Sequence, residues 1–168
     1  YISMVSYGPT LQNFFIYDSS GVILNSMQKA MYAGNSYELV VEGTDPNGWS
    51  DVDYIEVDLN PGVQNHMKMV FHVSNNTVVT SSQWLTVIPA SNASSGTVMT
   101  NMSGMPHNSS FDPYFRLVIP IELAWNAYEA TGVMTPQIRI SDKDANNPSS
   151  ILSPGGGRTL QKWNYGDG

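Results

Sequence analysis

A chain of 168 residues with only 12% charged side chains, about half the share of an ordinary soluble domain, must wet its surface with Ser, Thr, Asn and Gly. Seven scattered cations (Lys29, Lys68, Arg116, Arg139, Lys143, Arg158, Lys162) stand against fourteen acids, and the net charge of -7 argues against nucleic acid as a partner. With no cysteine, disulfides, thiolate catalysis and cysteine-based zinc sites drop out together, and no run of about twenty apolar residues offers a membrane span.

The chain opens without the basic start and apolar stretch of a signal peptide, so a processed form or a piece of a longer protein is expected. Tyr1 to Tyr17 is apolar and strand-prone through Ile2, Met4, Val5, Phe14, Phe15 and Ile16, and Gly8-Pro9 breaks it. Residues 1–19 therefore read as an N-terminal arm or extra strand. Gly21 to Leu24 is a further short candidate.

From there a period of two dominates, the mark of strands with one buried face. Tyr37, Leu39 and Val41 are expected to face inward while Glu38 and Glu42 face out; Ile55, Val57 and Leu59 oppose Glu56 and Asp58. Met67, Met69, Phe71 and Val73 alternate with His66, Lys68 and His72, and Trp84, Thr86 and Ile88 follow as another inward set. Residues 89–110 are Ser, Asn, Gly and Met with little pattern, a long surface excursion.

The longest alternation places Phe115, Leu117, Ile119, Ile121, Leu123 and Trp125 on one face, with Pro120 predicting an edge position or a bulge midway. Met134, Ile138 and Ile140 close the series opposite Gln137 and Arg139. Asp45-Pro46-Asn47-Gly48, Asn60-Pro61-Gly62, Asp112-Pro113 and Asn146-Asn147-Pro148 are turn-forming separators. The best helical stretch, 124–130, is too short to stand unpacked. Many short strands without helices between them predict an all-β, immunoglobulin-like antiparallel β-sandwich over residues 20–148, with 149–168 as linker and C-terminal tail.

Two groups of oxygen donors stand out. Asp45, Asn47, Asp51 and Asp53 crowd one turn, and Asp142, Asp144 and Asn146 repeat an Asp-x-Asp-x-Asn spacing. Hard cations such as calcium take such oxygens, although Asp and Asn also cap turns through local hydrogen bonds. An EF-hand is excluded, because Asn147 and Ser153 occupy its glycine and glutamate positions counted from Asp142. His66, Met67, Met69 and His72 include copper-type donors, but alternation sends the methionines and histidines to opposite faces, which favours core methionines. Four sequons, at Asn75, Asn92, Asn101 and Asn108, fit the N-glycosylation pattern.

The segment from Ala33 to Asp53, a glycine, a strand and an Asp-Pro-Asn-Gly turn, resembles the second-strand region of Ig-like modules in large prokaryotic surface proteins. Phe115 to Asp142, with its turn near Gly132, is similar to the last hairpin of the same modules. Trp163-Asn164-Tyr165-Gly166-Asp167-Gly168 resembles the Trp-Asp-Phe-Gly-Asp-Gly signature of polycystic-kidney-disease-type Ig-like domains, departing from it at Asn164 and Tyr165. In that family further strands follow the signature, which leaves a piece of a multidomain protein or a fortuitous match as alternatives. The resemblance implies the sandwich architecture and is nearly silent on function.

No Gly-x-Ser-x-Gly elbow, His-Glu-x-x-His or phosphate-binding glycine loop is present, and Glu38, Glu42, Glu56 and Glu122 take outward strand positions, so an enzyme is not expected. The leading expectation is an extracellular or cell-surface structural or adhesive module, a subunit or repeat of a surface layer, filament or virion. It would associate with itself or with neighbouring Ig-like domains through strand edges. The alternative is a carbohydrate-binding module that stacks a glycan on Trp49, the tryptophan beside the acidic turn, while Trp125 is expected in the core.

Overall fold

Alternating apolar side chains commit this chain to strands, and the computed structural model arranges them as two antiparallel sheets packed face to face. It describes residues 8–24, 31–59, 67–80, 85–87, 98–125, 136–144, 150–152 and 160–161. The strands are β1 (Thr10–Asp18), β2 (Met31–Tyr32), β3 (Ser36–Thr44), β4 (Val52–Asp58), β5 (Lys68–His72) and β6 (Thr77–Thr80), followed by β7 (Leu85–Val87), β8 (Val98–Thr100), β9 (Tyr114–Leu123), β10 (Gln137–Asp142), β11 (Ser150–Leu152) and β12 (Leu160–Gln161). No α-helix occurs among the described residues, none of which forms a helix long and apolar enough to cross a membrane.

The first sheet runs β1-β3-β9-β7 with β8 also on β9; the second runs β11-β10-β4-β5-β6. β2 and β12 make a small parallel pair, Leu160 beside Met31. Residues 10–18 of the expected arm are thus an outer strand of the first sheet, in register with β3 from Thr10↔Thr44 to Asp18↔Tyr37. Two short strands, β11 and β12, come from the segment expected as linker and tail.

The inward sets meet as one core. Leu39, Val41, Ile55, Val57, Leu59, Met67, Met69, Phe71, Phe115, Leu117, Ile119, Ile121, Leu123, Ile138 and Ile140 are all fully buried. Each such Leu, Ile or Phe contributes about 1.5–3 kcal/mol relative to exposure. Met67 and Met69 are core methionines, and His66 lies outside the described residues. Outer faces are tied by polar pairs: Glu56 takes both Lys68 and Arg139, and Glu42 takes Arg116 and the Asn13 amide.

Three expectations fail for physical reasons. Pro120 is neither at an edge nor at a bulge. It sits in the central strand β9, opposite Glu38 in an unbroken register with β3. On the other side of β9, β8 pairs with residues 116–118 and β7 with 121–123, and Pro120, which has no N–H to donate, falls between them.

Thr86 is exposed and pairs with the outward Glu122, so it does not face inward as expected, while Trp84 and Ile88 lie outside the described residues. Trp125 is 59% exposed because β9 ends at Leu123 and the alternation ends with it. The indole lies over Gly34, whose φ of +85 needs a glycine and whose missing Cβ would stand 2.5 Å from the ring.

Candidate metal centre

The chain passes from the first sheet to the second between β3 and β4, and its acidic turn forms there. Asp45 follows the last residue of β3, and Gly48, with φ +103, reverses the backbone. A single 3-10 turn at Trp49–Asp51 then leads into β4. Asp45 Oδ1 accepts the Asn47 backbone N–H (2.8 Å), the local bond that favours Asp at the head of such a turn.

β10 lies next to β4, and its last residue, Asp142, pairs with Val52 after a register shift at Ser141/Asp142. Just beyond it, the Lys143 N–H donates to the Asp51 carbonyl (2.8 Å). Carboxylate oxygens of Asp45, Asp51 and Asp142 are thereby brought within 4.8 Å of one another at one end of the sandwich. Asp45 is fully buried and Asp142 is 6% exposed. Asp45 Oδ2 and Asp51 Oδ2 are buried with no hydrogen-bond partner.

Burial is the largest cause holding the Asp45 carboxyl up at about 6, against an ordinary 3.8; the Asn47 N–H opposes the rise, and the charges of Asp51 and Asp142 add to it. An ionised carboxylate in such a place calls for a compensating charge. Three carboxylates from two sheets offer the hard oxygen donors that calcium takes.

The two donor groups seen in the sequence are therefore partly one. Asn47 is exposed and contributes its backbone N–H, and Asp53 is exposed on β4 outside the convergent set. Asp144 is half-buried and donates its N–H to Asp142 Oδ1 (3.0 Å), while Asn146 lies outside the described residues. What sequence reasoning missed was the pairing of β10 with β4, which no local spacing announces.

Trp49 is half-buried against the core, stacked on His107 at 4.4 Å and 13°, with its indole N–H donating to the Ser109 carbonyl (2.9 Å). One ring face is thus covered by the protein. Among the sequons, Asn75 lies exposed in the β5–β6 turn and accepts the Thr77 hydroxyl (2.7 Å). Asn101 is half-buried and accepts the backbone N–H groups of Ser103 and Met105. Asn108 is exposed, and Asn92 falls outside the described residues.

Comparison of the sequence with protein-family models finds no match, and none is found among curated proteins.

Proposed function

We propose that this chain is a structural module of an extracellular or surface assembly, a β-sandwich whose β3–β4 end is fastened by calcium held between Asp45, Asp51 and Asp142. The observation that carries the reading is the convergence of three carboxylates from both sheets, two of them with a buried oxygen lacking a partner. A weak calcium site fills only where calcium is abundant, with dissociation constants of about 0.1–1 mM in extracellular modules. A site of that strength here would fit a location outside the cell. Association with copies of itself or with neighbouring Ig-like domains would use the outlying strands β1 and β6, and a relation to polycystic-kidney-disease-type modules belongs to the same reading. Glycan binding through Trp49 has less support, since its ring already stacks on His107.

Calorimetric titration with calcium and thermal unfolding with and without chelator test the reading. At calcium about a hundredfold above the dissociation constant, binding adds about 2.7 kcal/mol. In a chain of this length that raises Tm by roughly 5–10 °C. Neither heat of binding nor a change in Tm would remove the cation from the account.

A further inference from the structure

The stretch between the ligands Asp45 and Asp51 is also the platform on which another loop rests. The Asp45 N–H donates to the Pro113 carbonyl (2.8 Å), the Trp49 N–H to the Asp112 carbonyl (2.8 Å) and the Ser50 hydroxyl to the Ser110 carbonyl (2.9 Å). The Trp49 indole adds its bond to Ser109 and its stack on His107. Gly48 presses so closely that a Cβ there would stand 2.4 Å from the Ser110 carbonyl oxygen.

That loop and its flanks carry exposed apolar side chains. Phe111 on it is 78% exposed, while Met102 and Met105 earlier in the β8–β9 connection are 39% and 60% exposed and Tyr114, the first residue of β9, 48%. The loop has local bonds of its own, from the Asp112 N–H to the Ser109 carbonyl, from the Phe111 N–H to the Ser109 hydroxyl, from the Tyr114 N–H to the Asp112 carboxylate and between the His107 ring and the Tyr114 carbonyl, and as many again run to residues 45, 49 and 50. Half of what holds the segment in place is therefore the surface it rests on, and its order depends on that surface to the same extent.

We propose that cation loading at Asp45, Asp51 and Asp142 sets the order of residues 107–113, so that the loaded form presents Phe111 in a fixed pose and the cation-free form releases it. This rests on the cation reading above. Cation binding draws Asp45 and Asp51 toward one point and fixes the turn between them. Every contact made by that turn to residues 107–113 then becomes harder to break. The device is local, because the β5–β6 hairpin makes none of these contacts.

Amide hydrogen exchange on the intact chain, in millimolar calcium and in chelator, reads the coupling. The expected result is exchange slowed about tenfold or more across residues 107–113, with the β5–β6 hairpin changed less than about twofold. The double variant Trp49→Phe with Ser50→Ala retains all three carboxylates. It should still give a heat of calcium binding while losing the calcium-dependent protection, and Ser50→Ala alone, a milder change, should lose part of it. Calcium binding with no change at 107–113 overturns the coupling and leaves the cation site standing. Equal slowing in the β5–β6 hairpin, or full protection in both variants, also overturns it. No heat of binding in the unaltered chain removes the site and the coupling together.

Discussion

Replacing Asp45 by Asn keeps the shape of the side chain and the oxygen that accepts the Asn47 N–H, and removes one of three crowded charges. In cation-free protein the carboxyl stands at about 6 when folded, against 3.8 ordinarily, so the folded state holds its proton more tightly than the unfolded one. This contribution to stability is greatest below about pH 4, falls as pH rises toward 6, and levels off above about 7. With each pH unit worth about 1.4 kcal/mol, the fully ionised group costs about 3 kcal/mol at pH 7. Urea unfolding in chelator at pH 4.5 and pH 7 measures it, the Asn variant subtracting all other carboxylates. The variant should be the more stable protein at pH 7 by up to about 3 kcal/mol, and the gap should close toward pH 4. Calcium at about a hundredfold above the dissociation constant should close most of that gap at pH 7, because its roughly 2.7 kcal/mol goes to the unaltered chain, which alone keeps the full ligand set. A variant less stable than the parent in chelator, or a gap independent of pH, would refute the placement of an ionised Asp45 in a desolvated site.

Phe115→Ala, which empties a fully buried position beneath Gly43, should cost about 3–5 kcal/mol in urea unfolding. Gly34→Ala combines a left-handed backbone with a methyl driven into the Trp125 ring; it should cost about 1–3 kcal/mol in thermal unfolding, and adding Trp125→Ala should recover only the steric part. Glu56→Gln weakens two half-exposed pairs with Lys68 and Arg139, so its loss should stay below about 1 kcal/mol and fade in about 1 M salt.

Alternation made the core legible wherever a strand kept one face buried over its whole length. Tyr37, Leu39 and Val41 and the run from Phe115 to Leu123 lie inward as their spacing predicts. The same signal misled at strand ends. Trp125 is in phase with the core, yet phase carries no information once the ladder stops at Leu123, and what receives the indole is a bare glycine brought alongside by the Gly34 N–H to Leu123 carbonyl bond. Pro120 misled for a related reason: a residue without an N–H is expected at an edge, but a central strand tolerates it where β7 and β8 divide their pairing.

The acidic site was half legible, since Asp45 and Asp51 share a turn while Asp142 reaches them only through the pairing of β4 with β10. Such pairing is decided by which strands best bury their common face, and local residue order says little about it. The convergence has a consequence for how the sandwich is held. A chain without cysteine has no disulfide to tie its two sheets, and apolar contact between them resists separation in the middle more than at the ends, where water reaches the seam. Asp45 belongs to the end of the first sheet, and Asp51 and Asp142 to the second. A divalent cation among them would join the sheets at this buried end of the seam, where three ionised carboxylates left to themselves would repel and part it.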